Sequence, residues 1–458
     1  MPRAFAVALA TSLLSLLLVS PAPSYDPWAW LLWGREVAGG GLSTLEGPAF
    51  KPLPVAVCAL LAPLGSAAPW LWVLLVRLAA AVAAILAFDV GQRLAGGSRV
   101  AGVLAAVAVL LCGALPAYTA AGAEPALVLA LALGAGVAWR DGRMRVALAC
   151  VAGCALLRVE AWPFVVAAGV VLWRTRPQDR ALLAALAAAI PAAWLVPELI
   201  GSGDILRSGA RARVPNPGQP ALADVPALAS LREAVALPLW PLWLGVAALV
   251  LARRRAALVP AAAGAAWIAI VALMAQAGFS GEPRYAVPGA ALIALSGAVG
   301  LAGFQRTAAL KGARSGRDAT SVVSYSHRGA KATLVVLIVV AAMPRIAALD
   351  DVHADQAHQW RLAGDLADAV AAAGGARAVL ACGQPYVGPL RGPLMAYRMG
   401  VAKHRVEPDE PPRPPGMVFR SAIHPSAEPA PDAPAQFSEV ARAGTWQVLA
   451  ACDGARSS

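Results

Sequence analysis

Long runs of apolar residues, separated by short polar segments, recur along the larger, N-terminal part of the chain. Examples with at most one charged residue each are Pro69–Phe88, Val100–Ala117, Ala257–Ala275 and Ala286–Phe304. A membrane-spanning helix requires about 20 mostly apolar residues, and its backbone must satisfy its own hydrogen bonds in the bilayer. Alanine and leucine dominate these runs without polar–apolar alternation, which argues against a β-barrel. The pattern therefore predicts an all-α polytopic membrane protein.

The apolar runs divide into about eleven predicted spans. Their approximate bounds are residues 4–20, 69–90, 100–118, 125–139, 146–158, 162–173, 181–199, 239–252, 257–276, 286–304 and 332–348. The fifth and sixth spans form a hairpin with Arg158-Val159-Glu160 at its tip. We interpret the first span as a retained helix, with a cleaved signal peptide as the alternative, because Pro21–Ser24 follows the apolar run.

The distribution of charge predicts which loops face the cytoplasm, where Lys and Arg accumulate. The basic segments are Arg3, Arg93/Arg99, Arg140–Arg145, Arg174–Arg180, Arg253–Arg255 and Arg306–Lys331. The intervening loops carry Asp26, Glu36, Glu46, Glu124, Glu160, Asp204, Asp224, Glu233 and Glu282. This alternation predicts a bacterial inner-membrane protein with a cytoplasmic N-terminus and an extracytoplasmic C-terminus. One long outside loop fits the rule poorly because it also contains Arg207, Arg211, Arg213 and Arg232.

Composition agrees with contact between the chain and lipid. Hydrophobic residues make up 59% of the 458 residues, charged residues only 14%, and the mean hydropathy is +0.64. The net charge of +12 does not indicate nucleic-acid binding, because the basic residues are dispersed among the spans. For the basic segment Arg306–Lys331 we expect a role in orientation and in contact with anionic lipid.

The chain changes character after the last apolar run, which predicts two domains: a transmembrane domain, 1–348, and a small extracytoplasmic α/β domain, 349–458. An amphipathic helix is expected at Leu349–Ala373, ending at Gly374-Gly375. Short strands are expected at Ala376–Ala381, Met417–Ser421 and Trp446–Ala450.

The six cysteines divide between the two predicted domains. Cys58, Cys112, Cys150 and Cys154 lie in or beside apolar helices, where a small apolar filling role is expected. Cys382 and Cys452 lie near the ends of predicted strands in the outside domain. An oxidising compartment permits a disulfide between them, and the sequence leaves open whether it forms.

The first outside loop, Ser24–Gly65, contains an unusual set of residues. Asp26 and Pro27 suit the N-cap and first turn of a helix. Trp28, Trp30 and Trp33 then indicate an interfacial helix at the level of the lipid headgroups. Lys51-Pro52-Leu53-Pro54 starts a second apolar stretch that is too short to span. A carboxylate would thus lie at the membrane surface between two interfacial helices, although a plain capping and anchoring role explains the same residues.

Other ionisable residues lie at the outer ends of spans. Glu124 precedes the fourth span, and Arg284, in the segment Glu282-Pro283-Arg284-Tyr285, precedes the tenth. Ionisable residues at membrane depth are costly and usually functional, but ordinary capping and loop solvation remain the alternatives at these edges. Arg77, inside the second span, requires a partner.

In their order and sidedness these motifs resemble the membrane-embedded C-type glycosyltransferases (GT-C fold), which use polyprenyl-phosphate sugar donors. The residues that carry the resemblance are Asp26 with the Trp-rich helix, Lys51–Pro54, Glu124-Pro125, Leu157–Glu160 and Arg284–Pro288. Many members have two adjacent acidic residues in the first loop, whereas Asp26 stands alone between Tyr25 and Pro27. That departure leaves metal dependence open.

The resemblance implies transfer of a sugar, with inversion, from a polyprenyl phosphate to an envelope glycan, lipid or protein. Asp26 would act as the catalytic base and Glu124 would assist, and these two would hold a divalent cation such as Mg²⁺ or Mn²⁺ if the enzyme uses one. Arg284, with Arg35 and Lys51, would bind the donor phosphate. The substrate-positioning residues would be Tyr25, Trp28, Arg158, Glu160, Glu282 and Tyr285.

Two other classes of protein fit parts of the sequence. A transporter or lipid flippase would place polar residues near the bilayer midplane, commonly in paired repeats, whereas these candidates cluster at the outer face. A non-catalytic scaffold for envelope assembly would not require the carboxylates and arginines at all. Convergence of Asp26, Glu124 and Arg284 on one outward cavity would favour the enzyme.

Overall fold

The computed structural model describes residues 2–314, 320–406 and 411–452, with side chains described for these except residue 2 and residues 304–335. Within this part of the chain the α-helices are α1 (Pro2–Leu18), α2 (Tyr25–Ala38), α3 (Pro52–Leu61), α4 (Ala68–Leu94), α5 (Arg99–Leu110), α6 (Leu115–Ala120), α7 (Pro125–Arg140), α8 (Met144–Leu157), α9 (Trp162–Thr175), α10 (Arg180–Ser202), α11 (Arg207–Arg211), α12 (Pro226–Ala236), α13 (Pro241–Leu251), α14 (Arg255–Gln276), α15 (Pro283–Arg314), α16 (Thr320–Ala372), α17 (Gly375–Cys382) and α18 (Gly392–Met399). The strands are β1 (Gln384–Tyr386), β2 (Gly416–Arg420), β3 (Ser438–Ala443) and β4 (Trp446–Ala451).

Among the described residues, four helical segments are long and apolar enough to cross a membrane: Pro52–Leu94, Pro177–Ser202, Arg255–Gln276 and Pro283–Gly303. The pair α12 and α13, bent by 96°, would make a fifth. Shorter apolar helices add to the bundle, among them α1, α5, α7 and α8. The protein is thus a predominantly helical membrane protein as expected, but the count of about eleven full spans is not confirmed.

Two predicted spans are interrupted for visible reasons. The third, 100–118, breaks between α5 and α6, where Gly113 adopts a left-handed conformation with φ of 56°. The eighth, 239–252, is the 11-residue helix α13, which is joined to the preceding helix α12 by the 96° bend. The proline pair Pro191 and Pro197 does not interrupt α10, which continues to Ser202. The predicted basic loop Arg306–Lys331 lies outside the residues whose side chains are described.

Helix α15 forms the centre of the bundle because glycines allow its neighbours to approach closely. Its span, Pro283–Gly303, is the most buried of the four. A Cβ on Gly264 of α14 would overlap the carbonyl oxygen of Gly289, and one on Gly300 would overlap that of Gly245 in α13. Small residues at crossing points are the usual means by which helices associate within a membrane.

Arg77 finds its partners in the carbonyl groups at the ends of two other helices. Its guanidinium donates to the backbone oxygens of Ser15, Val19, Ser20 and Ala120 at 2.8–3.2 Å. The Ser15 oxygen also accepts from the Val19 N–H and the Ser20 oxygen from the Ala22 N–H, so the arginine shares these two acceptors and is itself satisfied. This arrangement fixes α1 and α6 against α4.

The C-terminal part contains a small sheet with strand order β1-β2-β4-β3, in which β1 and β2 are parallel and the other pairs antiparallel. The strands expected at Met417–Ser421 and Trp446–Ala450 are present as β2 and β4. The strand expected at Ala376–Ala381 is wrong, because this alanine-rich segment forms helix α17. Cys382 and Cys452 form a disulfide with their Cα atoms 4.8 Å apart.

The expected amphipathic helix Leu349–Ala373 is the last part of α16, a helix of 53 residues. It ends where Gly374, with φ of 89°, turns the chain. The predicted boundary at residue 348 therefore falls inside a continuous helix, and the division into two domains stays a prediction.

The C-terminal part packs directly on the loop 24–65. The rings of Trp28 and Tyr397 lie 5.2 Å apart, and Arg35 donates to the carbonyl oxygen of Tyr397 at 2.8 Å. Lys403 forms an ion pair with Glu46 at 2.6 Å. Trp30 and Trp33 are 0% exposed, because Trp30 packs on Trp72 of α4 and Trp33 packs on Phe50. These side chains therefore contact protein and not lipid, and the depth of α2 relative to the headgroups stays a prediction.

We expect Gly264→Ala to lower the free energy of unfolding by roughly 1–3 kcal/mol, since overpacking forces backbone shifts. Thermal unfolding of the purified protein in detergent measures the change. Gly136→Ala in α7 is the matched control, because a Cβ there meets nothing within 4 Å. Equal melting temperatures for the two variants would show that the α14–α15 contact is looser than described.

Candidate active site

Asp26 is placed by the start of α2. The helix begins at Tyr25 with Ser24 as its N-cap, because the Ser24 N–H donates to Ala121 O and the Ser24 carbonyl accepts from Trp28 N–H. The expectation that Asp26 itself caps the helix is therefore wrong by two positions. Its carboxylate is 7% exposed and pairs with Arg284, with Oδ2 2.9 Å from Nη2.

Lys51 is the extended residue that precedes α3. Its Nζ lies 2.5 Å from Glu124 Oε1 and 3.9 Å from Asp26 Oδ2. It also lies 5.1 Å from the centre of the Trp30 ring. The ammonium group thus stands between two carboxylates from different helices, within a buried aromatic wall.

Glu124, at the N-cap of α7, lies behind Lys51 and is 1% exposed. Its Oε1 also accepts from Arg158 Nη1 at 3.1 Å. Burial alone would oppose ionisation, but the three nearby cations outweigh it and hold the pKa of this carboxyl well below its usual range. Glu124 is therefore a charged support for the two cations it contacts.

The tip of the α8–α9 hairpin forms one wall. Arg158 pairs with Glu160 through Nε at 3.1 Å and through Nη2. Its guanidinium lies 3.6 Å from the centre of the Tyr285 ring. The mutual pairing expected for this hairpin is present, and the additional bond to Glu124 joins it to Lys51.

The first turn of α15 completes the cluster. Arg284 Nε lies 3.0 Å from Glu282 Oε2, in addition to the pair with Asp26. Burial raises the pKa of the Glu282 carboxyl, assisted by the charges of Asp26 and Glu124 and opposed chiefly by Arg284. In total, four carboxylates face three cations in this cluster.

These groups border a cavity of about 760 Å³. The sequence-predicted site residues that line it are Tyr25, Asp26, Lys51, Arg158, Glu160, Glu282, Arg284 and Tyr285. Asp26 and Arg284 thus converge on one cavity, while Glu124 supports its wall from behind. A cavity of this size is in the range of small-molecule sites.

Two sequence-predicted site residues lie elsewhere. Arg35 is bound to the carbonyl groups of Tyr397 and Val401, and Trp28 packs on the ring of Tyr397. Neither belongs to the cavity lining. Both are engaged by α18 and the turn after it, a contact between segments too distant in sequence to be predicted from a local pattern.

Several lining residues were missed. Ser208, Arg211 and Asn216 come from the long loop between α10 and α12. The sequence signal that could have identified them was this loop's cluster of arginines, which fits the charge rule poorly and so indicates a role other than topology. Leu390, from the C-terminal part, also lines the cavity; it is 56% exposed and adopts φ of 64°.

The donor set does not suit a divalent cation between Asp26 and Glu124. The Lys51 ammonium occupies the space between them, and Arg284 and Arg158 engage the same two carboxylates. Among the described residues, no group of three or more His, Cys, Asp or Glu side chains has a metal-binding arrangement. Mg²⁺ and Mn²⁺ favour several oxygen ligands, and here the oxygens already bind cationic side chains.

No protein-family model matches the chain, and no curated protein matches it. Among solved structures, ArnT from Cupriavidus metallidurans bound to undecaprenyl phosphate is similar, with 16% identity over 99% of this chain and 98% of that one and a TM-score of 0.51. Apo ArnT from the same organism gives 18% identity over 98% and 97%, with a TM-score of 0.50. The chain therefore has the fold of ArnT, and the predicted GT-C-like architecture is confirmed.

We expect Leu390→Gly to raise the free energy of unfolding by about 1 kcal/mol, because a left-handed conformation strains every residue with a Cβ. The mostly exposed side chain loses few contacts. Gly388→Ala should have the opposite effect and lower the free energy of unfolding, because Gly388 has φ of 74° and a Cβ there would lie 2.8 Å from Arg391 Nη2. Thermal unfolding distinguishes them; destabilisation by both would show that the Leu390 side chain stabilises the fold.

We expect the contribution of Glu282 to the free energy of unfolding to fall as pH rises from 4.5, the usual value for Glu, through the raised pKa of this carboxyl. The folded state disfavours the charged form of this carboxyl, so ionisation costs folding free energy. Glu282→Gln removes this contribution to the pH dependence of stability. The melting temperature of the variant minus that of the wild type should therefore increase with pH. A difference that stays constant with pH would contradict the raised pKa.

Proposed function

We propose that this protein is an integral-membrane glycosyltransferase that transfers a sugar from a polyprenyl-phosphate donor to an acceptor hydroxyl. The observation that carries the proposal is the convergence of Asp26 with Lys51 and Arg284 on one cavity. A carboxylate can accept a proton there, and two cations can bind a phosphate. The fold shared with ArnT, solved with undecaprenyl phosphate, supports the same class of donor.

The donor phosphate would lie against Lys51 and Arg284. Each of these cations is already held by a carboxylate, which keeps them in place and limits their mutual repulsion. Arg35 has no part in this proposal, because its guanidinium is bound to the C-terminal part. Tyr25, Glu160, Glu282 and Tyr285 line the same cavity and would contact the sugar or the acceptor.

The lipid tail would occupy an apolar groove of about 300 Å³ between α3, α4, α7 and α8. Its lining residues are Leu53, Pro54, Val57, Trp72, Leu75, Leu78, Ala79, Val82, Leu127, Ala130, Leu131 and Leu157. Leu157 lines both this groove and the charged cavity. Since Arg158 follows it directly, one substrate with an apolar tail and an anionic head fits both spaces.

The chemistry follows from these positions. Asp26 accepts the proton of the acceptor hydroxyl while the hydroxyl oxygen forms a bond to the anomeric carbon of the sugar. The bond from that carbon to the phosphate oxygen breaks, and the electron pair leaves with the phosphate. Lys51 and Arg284 stabilise the charge that develops there. Direct displacement inverts the anomeric configuration. Glu124 acts by holding Lys51 and Arg158.

We further propose that the protein acts at the outer face of a bacterial inner membrane, with its N-terminus in the cytoplasm and its C-terminal part outside. The sugar would be a hexose or pentose, and the acceptor an envelope glycan, lipid or protein. No observation favours a transporter or a scaffold. Arg77, which required a partner, is satisfied by carbonyl groups. Asp26 and Arg284 line one cavity, and Glu124 binds Lys51 behind its wall.

We expect Asp26→Asn to reduce transfer by roughly 100-fold or more, because the amide cannot accept the proton. The assay uses purified protein in lipid nanodiscs. The donors are labelled sugars on a panel of polyprenyl phosphates, and the acceptor is a total envelope extract. Asp141→Asn, a partly exposed carboxylate paired with Arg93 and Arg143, serves as the control with transfer retained. Undiminished transfer by a properly inserted Asp26→Asn protein would rule out its role as base.

A further inference from the structure

Glu198 is a buried carboxylate that the proposed reaction does not use. It belongs to α10, four residues before the last helical residue, Ser202, and it is 0% exposed. It does not line the cavity. A carboxylate in this position is tolerated only with hydrogen-bonding and charged partners.

Its partners both come from the start of α11. Ser208 donates its hydroxyl proton to Glu198 Oε1, and Arg207 Nη1 lies 3.2 Å from the same oxygen. These two residues in turn bind the segment 47–51. The Ser208 hydroxyl oxygen accepts from the Phe50 N–H at 2.6 Å, and Arg207 donates to the carbonyl oxygens of Gly47 and Pro48 at 3.1–3.2 Å.

The segment 47–51, which we call the strap, carries Lys51 to the site. Its last residue is extended and holds the ammonium between Asp26 and Glu124. The Phe50 N–H belongs to the residue that precedes Lys51. One buried carboxylate therefore holds, through two neighbours, both the carbonyls at the start of the strap and the N–H of the residue before the lysine.

We propose that Glu198 is a positioning residue for Lys51, acting through Ser208 and Arg207 to place the ammonium for the donor phosphate. This inference rests on the proposed function and adds a residue outside the cavity to its machinery. Ser208 also lines the cavity, so the same chain of bonds sets the distance between the α11 wall and the lysine. A lysine displaced by even 1 Å would meet the phosphate poorly.

The first test measures binding of undecaprenyl phosphate to the purified protein in nanodiscs. Glu198→Ala and Ser208→Ala should each raise the dissociation constant about tenfold, the size expected when a buried hydrogen bond is lost. Glu198→Gln keeps an acceptor for Ser208 and should recover part of the loss. Ser208→Ala is the smaller change and serves if Glu198→Ala does not fold.

A double-mutant cycle with Lys51→Met separates positioning from general destabilisation. If Glu198 acts through Lys51, adding Glu198→Ala to Lys51→Met changes the dissociation constant no further. Additive effects would overturn the proposal. Asp179→Asn is the matched control: Asp179 is a buried carboxylate at the other end of α10, paired with Arg145 and Arg176, and the variant should lower the melting temperature without altering binding.

Hydrogen exchange of the peptide containing the strap tests the same inference without a ligand. The Phe50 amide should be protected in the wild type and should exchange at least tenfold faster in Ser208→Ala, while Asp179→Asn leaves it unchanged. Unchanged protection in Ser208→Ala would overturn the inference whatever the protein binds. Failure of the wild type to bind undecaprenyl phosphate, with normal protection, would instead contradict the proposed function alone.

Discussion

Mutual compensation of buried charges is the constraint on which the cavity end of the bundle depends. The cluster takes its members from the starts and ends of helices that are distant in sequence: Asp26 from α2, Lys51 before α3, Glu124 before α7, Arg158 after α8 and Arg284 from α15. A buried charge that loses its partner costs about 3–5 kcal/mol. Each of these helix ends must therefore lie where its partner can reach it, and the cavity is the space that remains between them.

Such a cluster adds little net stability, because apolar residues of similar volume commonly stabilise a fold equally well. Its value lies in orientation. The Lys51 ammonium pairs with Glu124 and lies 5.1 Å from the centre of the Trp30 ring, and the N–H of the preceding residue, Phe50, binds Ser208. A cation held in this way loses little freedom when it binds an anion, which is the general advantage of a preorganised electrostatic site.

The sequence predicted the features that depend on local pattern. Lys51-Pro52 and Glu124-Pro125 marked where α3 and α7 begin, and the sidedness of charge predicted that Asp26 and Arg284 share one face. Features decided by distant contacts were not predictable. Whether Trp30 meets lipid or protein, and whether Arg35 meets a ligand or α18, depends on segments far along the chain.

The position of Asp26 within α2 also depended on a contact between residues distant in sequence. An aspartate before a proline suits an N-cap, and only the bond from Ser24 to Ala121 moves the start of α2 and frees the carboxylate. The two carboxylates that suggested a metal are separated by Lys51, which is adjacent to neither in sequence. The fold class could thus be predicted from the recurrence of apolar runs, whereas the arrangement of the site depended on which oppositely charged groups form pairs.

Arg77 has a consequence for how the protein is made. An arginine near the middle of a span costs about 2.5–3.5 kcal/mol on insertion scales when the helix enters the bilayer alone. Here the acceptors that remove this cost are carbonyls at or just after the end of α1, and the Ala120 carbonyl of α6. Helix α1 precedes α4 in the chain, so α4 meets three of its four acceptors when it inserts against α1, and the fourth is added when α6 follows.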